Sequence, residues 1–216
     1  MNRITKIKAR QVFDSRGNPT VEAEVTISNG ISARAIAPSG ASKGTKEAYE
    51  LRDNFNEYDG MGVSLANKNI NTLIRELLMG LKVQDQDNID KLLIKLDGTQ
   101  NKSNLGGNSL IAVSMAVLKV AAKSQNIELW EYLNKDKNLY LPMPEIQIFG
   151  GGAHANNSIS IQDIMIIPNN APDYISALKW VSKVYKATGE LLDKEGKLFG
   201  VADEGGYWPI FKNSEQ

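Results

Sequence analysis

The strict two-residue alternation of Thr20-Val-Glu-Ala-Glu-Val-Thr-Ile27 is the feature that most narrows what this chain can fold into. Val21, Ala23, Val25 and Ile27 fall on one side and Thr20, Glu22, Glu24 and Thr26 on the other, which describes a strand with one buried face. Asn29-Gly30 follows as a hairpin signal, and Ile31, Ala33, Ala35 and Ala37 resume the alternation until Pro38 ends it. Ile4 to Phe13 also reads as extended, and Asp14-Ser-Arg-Gly-Asn-Pro19 between the two is dense in turn formers. A three-stranded antiparallel meander is the expected start.

Near residue 62 the period changes from two to between three and four. Ile70, Leu73, Ile74, Leu77 and Leu78 make one amphipathic helix with Gly80 at its end, and Ile89, Leu92, Leu93 and Leu96 make a second before Asp97-Gly98. Leu110 to Lys123 is apolar nearly all round and reads as a buried helix. Strands followed by helices predict an α+β domain over residues 1–140, with Pro142 and Pro144 opening a new section. In residues 141–216, Ile146 to Phe149, Ile161 to Ile167 and Leu198 to Ala202 read as buried parallel or barrel strands, with a long helix over Pro172 to Leu192. A closed (β/α)8 barrel takes about 200–250 residues, so this section is expected to be only the start of one. Asn213-Ser214-Glu215 reads as a helix N-terminus, so the chain is expected to be cut rather than finished.

Composition removes several function classes. Lys and Arg number 25 and Asp and Glu 25, for a net charge of zero, which argues against charge-steered nucleic-acid binding. There is no Cys, which excludes disulfides, thiolate zinc sites and cysteine nucleophiles and fits a reducing compartment. The first residues lack an apolar signal core and no apolar run approaches 18 residues, so a soluble cytoplasmic protein is expected.

Five places could carry chemistry. Pro38-Ser-Gly-Ala-Ser-Lys-Gly44 could close over an anion or offer oxygen to a hard metal, or could be an ordinary polar turn; it lacks the ending of a phosphate-binding P-loop. His154, the only histidine, follows three glycines and is either a ligand contact or an incidental loop residue. Gln162 and Asp163 interrupt an apolar strand and would point to opposite faces unless the strand is bulged. Asp203-Glu204-Gly205-Gly206 is the sharpest signal, two acids after a buried strand, suited to a general acid or a cation ligand. Arg16, in Asp14 to Thr20, reads as part of a structural turn.

Longer stretches carry a resemblance. Arg10-Gln-Val-Phe-Asp-Ser-Arg-Gly-Asn-Pro-Thr-Val-Glu22, Ala37-Pro-Ser-Gly-Ala-Ser-Lys-Gly44, Leu96-Asp-Gly-Thr-Gln-Asn-Lys-Ser103, Gly150-Gly-Gly-Ala-His-Ala155 and Ala202-Asp-Glu-Gly-Gly206 resemble the enolase (phosphopyruvate hydratase) family in order and spacing. The resemblance implies an α+β capping domain followed by a (β/α)8 barrel, a homodimer, Mg²⁺, and reversible dehydration of 2-phosphoglycerate to phosphoenolpyruvate in glycolysis and gluconeogenesis. By position it implies that Glu204 protonates the leaving hydroxyl and that Ser42 ligates a second Mg²⁺. It implies that His154 and Gln162 contact substrate, that Asp163 stands where the family has a glutamate beside the acid, and that Arg16 is structural and interfacial. It places the family's three acidic metal ligands and its catalytic lysine beyond Gln216, so residues 1–216 alone are expected to be inactive.

Departures from the family pattern cluster near the acid: Asp163 for Glu, Phe149-Gly150 for Ile-Asn, Ala202 for Gly, and Tyr207-Trp208-Pro209 for smaller residues, with Lys43 for Thr in the loop. Asp163 is one methylene short, and displacements of about 1 Å can cost on the order of 100-fold in rate. Asp163 is therefore either compensated or, together with a bulky Trp208 near the acid that could reshape the pocket, the mark of an enolase-like paralogue acting on another phosphorylated or phosphonate carboxylate. A third alternative is a non-catalytic association module.

Overall fold

The computed structural model describes residues 2–40, 43–54, 57–134, 139–157, 159–213 and 215. The chain forms two compact units, residues 1–137 and 138–216.

In the first unit, β1 (Ile4–Phe13), β2 (Pro19–Ile27) and β3 (Ser32–Ile36) form an antiparallel sheet in the order β1-β2-β3. Ala9 pairs with Ala23 and Ala23 with Ala35, so small residues line the middle of one face. The hairpin between β2 and β3 has three residues rather than two: Ile27 accepts from Gly30 N–H and donates to Ile31 O, and Gly30 takes φ +83°. This is a tight turn closed by a left-handed residue, which glycine adopts without strain.

Helix α4 (Gly107–Ser124) lies across β2 and β3 and buries Ala112, Val113, Ala116, Val117, Val120 and Ala121 against Val21, Ala23, Val25 and Ala35. Each Val buried in this way contributes roughly 1.5–3 kcal/mol. Before it, α1 (Ser64–Asn69), a π-helical turn (Ile70–Ile74) and α2 (Arg75–Leu78) run on from one another, and α3 (Gln86–Asp97) packs against α4. Asn71 sits on the π turn, and its side-chain amide accepts from Ala9 N–H (2.8 Å) and donates to Ala9 O (3.2 Å). It thus satisfies part of the outer edge of β1, as a neighbouring strand would. A short helix α5 (Leu129–Leu133) follows.

The burial pattern differs from expectation in two places. Thr20 and Glu22 belong to the polar face of β2 yet are buried. Thr20 Oγ donates to Ala37 O (2.7 Å), and Arg10, the cross-strand partner of Glu22, reaches its carboxylate at 2.5 Å. Leu96 is exposed, whereas Asp97 is 1% exposed. The Asp97 carboxylate accepts from the N–H of Thr99 (3.0 Å) and Leu105 (2.8 Å) and from the Thr99 hydroxyl, and so organises the turn after α3.

In the second unit, β4 (Ile146–Gly150), β5 (Asp163–Ile166), β6 (Leu198–Val201) and β7 (Tyr207–Pro209) form a sheet in the order β5-β4-β7-β6, and α6 (Tyr174–Lys194) joins β5 to β6. β5 is shorter than the expected Ile161–Ile167 strand, α6 starts two residues later than expected, and β7 gave no sequence signal. Only β4 and β7 pair in parallel, through Phe149 and Tyr207; the other pairs are antiparallel. The connection from Ala202 to Gly206 leaves β6–β7 no room for a crossover, and the connection between β4 and β5 is taken up by the 3₁₀ turn of Gly152–Ala155 and loop rather than by a crossover helix. α6 is a crossover, but the strands it joins lie at opposite edges. Met165, Phe199 and Val201 are exposed, contrary to the expectation of buried strands. The expected helix start at 213–215 lies partly outside the described residues, where Asn213 Oδ1 accepts from Glu215 N–H (3.2 Å).

Candidate active site

The second unit gathers its polar residues at one end of the sheet. After β4, residues Gly152–Ala155 form a single 3₁₀ turn that carries His154. Asp163 opens β5, and Ala202 to Gly206 make the turn between β6 and β7, closed by Gly205 N–H to Ala202 O (3.0 Å) and Ala202 N–H to Gly206 O (2.8 Å). Tyr185, on α6, donates its hydroxyl to Gly205 O at 2.8 Å and holds that turn from the helix side.

These pieces bring His154, Asp163 and Glu204 together. The His154 ring is largely buried, with Nδ1 3.5 Å from Asp203 Oδ2 and Nε2 3.4 Å from Glu204 Oε1. The other oxygen of Glu204, Oε2, accepts from Gln147 Nε2 at 2.8 Å, and the same nitrogen donates to Asp163 Oδ1. Glu204 is pushed above the usual carboxylate range, first by its hydrogen bond with Asp163, then by desolvation and the like charge of Asp163; His154 and Gln147 partly oppose this. The group therefore holds a proton more tightly than an ordinary glutamate, as a general acid must. A cleft of about 470 Å³ opens beside it, lined by Glu145, Gln147, Asp163, Met165, Tyr185 and Glu204.

Gln162 does not line that cleft. It precedes β5, is exposed, and its carbonyl accepts from Gly151 N–H at 2.7 Å, with its side chain over Gly152. Trp208 does not line the cleft either, but packs on Phe199 with ring centroids 4.3 Å apart, while Tyr207 stacks on Tyr185 at 4.3 Å. Two residues of this region gave no separate sequence signal as site groups. Gln147 carried the same mark as Gln162, a polar residue inside an apolar strand, and Tyr185 carried none, since one tyrosine on an amphipathic helix is ordinary.

The glycine–serine loop belongs to the first unit, and of it Ala41 and Ser42 lie outside the described residues. Its base is held by two arginines. Arg16 donates to Ser39 O (2.9 Å), and the buried Arg52 donates to Pro19 O (2.6 Å), Met61 O (2.6 Å), Ser39 Oγ (3.2 Å) and Glu50 (2.5 Å). Lys43 stands 3.5 Å from Glu50, and a cleft of about 320 Å³ lies beside them, lined in part by Ser39, Lys43, Glu47 and Asn108. Arg16 thus serves a turn, as expected, whereas Arg52 had no sequence signal.

Among the described residues no three of His, Cys, Asp and Glu come together in a way that could hold a metal ion; the resemblance puts the acidic Mg²⁺ ligands outside this set, and Ser42 lies outside the described residues. Among them also, no helix is long and apolar enough to cross a membrane.

A meander capped by helices, followed by a unit whose strand ends present a carboxylate pair beside a histidine, defines a two-part protein: an α+β domain and a sheet-and-helix unit with an acidic site. Residues 4–133 match the family described as Enolase, N-terminal domain, and residues 138–216 match Enolase, C-terminal TIM barrel domain. The chain belongs to the enolase family. It is 45% identical over 214 residues to the enolases of Legionella pneumophila strains Philadelphia 1, Lens and Corby, an alignment that takes in 99% of this chain and 51% of each relative. The chain spans about half the length of the curated relatives it matches.

Proposed function

We propose that this chain carries the acid side of an enolase reaction, the reversible dehydration of 2-phosphoglycerate to phosphoenolpyruvate. The observation that supports it is the proton-holding Glu204 set between Asp163, His154 and Gln147 at the edge of a cleft. In the dehydration a base removes the proton at C2, C2=C3 forms as the C3–O bond breaks, and the hydroxyl leaves as water with the proton from Glu204. Asp163 shares the burden of negative charge with Glu204, and His154 contacts the substrate; Gln162, which lies off the cleft in this chain, would contact it only from the Gly151–Gly152 side.

The base, a lysine, and the acidic Mg²⁺ ligands belong to the part of the family's length beyond Gln216, and Ser42 to the loop that completes the metal site. This reading carries with it Mg²⁺ as cofactor, a glycolytic role, a cytoplasmic setting and a homodimer. The paralogue alternative drew on Asp163 and Trp208, and with Trp208 packed on Phe199 it rests on Asp163 alone.

The test is turnover of 2-phosphoglycerate by the complete gene product with Mg²⁺, followed by the ultraviolet absorbance of phosphoenolpyruvate. Turnover is expected. Inertness toward 2-phosphoglycerate, with or without turnover of another phosphorylated carboxylate, would overturn the reading.

A further inference from the structure

We infer that Gln147 is a positioning residue that sets the spacing and the shared protonation of the Glu204–Asp163 pair. Its role rests on the reading of Glu204 as the acid, but its geometry stands independently. The side-chain nitrogen donates to Glu204 Oε2 (2.8 Å) and to Asp163 Oδ1, so its two N–H groups are divided between two carboxylates from different strand ends. The side-chain oxygen accepts from the backbone N–H of Gly206 at 2.7 Å. All three contacts agree on one orientation of the amide. A flipped amide would turn its oxygen toward two carboxylates and its N–H groups toward the N–H of Gly206.

The surroundings keep Gln147 in that orientation. It lies on β4, between β5, which carries Asp163, and β7, which follows the turn of Glu204. A Cβ at Gly206 would lie 2.5 Å from the Gln147 oxygen, so a glycine is what lets that backbone N–H come close. Glu145, Asp163, Tyr185 and Glu204 are the titratable groups lining the cleft beside the amide, and His154 reaches the pair from the other oxygen of Glu204.

The amide compensates for aspartate at position 163. A carboxylate one methylene short is withdrawn toward its backbone, and the long Gln147 side chain spans the gap, bonding both acids at once. An amide that donates to both carboxylates also favours their ionised forms, which keeps the pair from locking its proton. A donor placed there fixes geometry and moderates proton affinity together.

The test is a carboxyl ¹³C and side-chain amide ¹⁵N NMR titration of the complete gene product, unmodified and as Gln147→Met and Gln147→Glu. In the unmodified chain the Gln147 side-chain amide signals should follow the same titration steps as Glu204 and Asp163. In Gln147→Met the upper step of the coupled pair should hold its proton about tenfold more tightly. Gln147→Glu should strengthen it further, because the added carboxylate donates nothing when ionised. Amide signals of the unmodified chain that ignore the pair's titration would overturn the inference even if neither variant folds, as would a pair whose steps stay put in a folded variant. Because no turnover is read, failure here is separate from failure of the enolase reading, which the 2-phosphoglycerate assay decides.

Discussion

Replacing Asp97 by Asn isolates what one buried carboxylate does for the first unit. The two side chains are nearly isosteric, so little packing changes. Asp97 accepts from Leu105 N–H (2.8 Å), Thr99 N–H (3.0 Å) and the Thr99 hydroxyl, and an amide can present only one oxygen to them. At least one donor is left facing an NH₂, at a cost of about 1–3 kcal/mol, and the surviving bonds lose charge assistance worth about 1 kcal/mol. The substitution should therefore destabilise by about 2–4 kcal/mol at neutral pH, a large share of an ordinary domain's stability of about 5–15 kcal/mol.

The sign with pH follows from the same bonds. Burial alone would raise the pKa of Asp97, but the hydrogen bonds from Thr99 and Leu105 outweigh it and hold the value below the ordinary 3.8. The unfolded chain then binds more protons as the pH falls, so the stabilisation is fully present above 3.8 and is lost as the pH drops through the lowered native value. Urea unfolding followed by circular dichroism, with hydrogen exchange at Leu105 as the local readout, should show a constant gap between wild type and Asp97→Asn near neutrality and a narrowing gap in acid. A gap below about 0.5 kcal/mol at neutral pH, the size of an ordinary surface effect, would refute the reasoning. So would a gap that persists in strong acid.

Two further substitutions test packing and edge protection. A Cβ at Gly189 would sit 2.3 Å from the Tyr207 hydroxyl and 2.5 Å from its ring carbon, and that ring is held by stacking on Tyr185. Gly189→Ala should therefore destabilise by about 1–3 kcal/mol instead of stabilising the helix, and should reverse sign in a Tyr207→Ala background; equal thermal shifts in both backgrounds would contradict this. Asn71→Ala removes both bonds to the Ala9 backbone, and it should cost about 1–2 kcal/mol and speed hydrogen exchange at the Ala9 amide, which unchanged exchange would contradict.

What the sequence revealed and what it hid divide along a physical line. The meander was legible because alternation in β2 and a glycine turn are local, and α4 because its apolar face is uninterrupted. His154 and Glu204 stood out because glycines flank them. The interactions that were not legible join residues far apart in the chain. Gln147 reaches Glu204 across 57 positions, and Asn71 reaches Ala9 across 62. The burial of Asp97 and of Arg52 depends on backbone groups whose positions only the fold supplies. Trp208 showed the opposite error, since closeness in sequence to the acid suggested a pocket residue, whereas strand alternation turns it onto Phe199.

The most direct test of the acid assignment is Glu204→Gln in the complete gene product, with 2-phosphoglycerate and Mg²⁺ in deuterated water. Two rates are compared, exchange of the C2 proton and formation of phosphoenolpyruvate. If Glu204 delivers the proton to the leaving hydroxyl, elimination should fall by about 100-fold or more while exchange at C2 continues. Elimination at the wild-type rate, or loss of exchange together with elimination in a folded variant, would contradict the account.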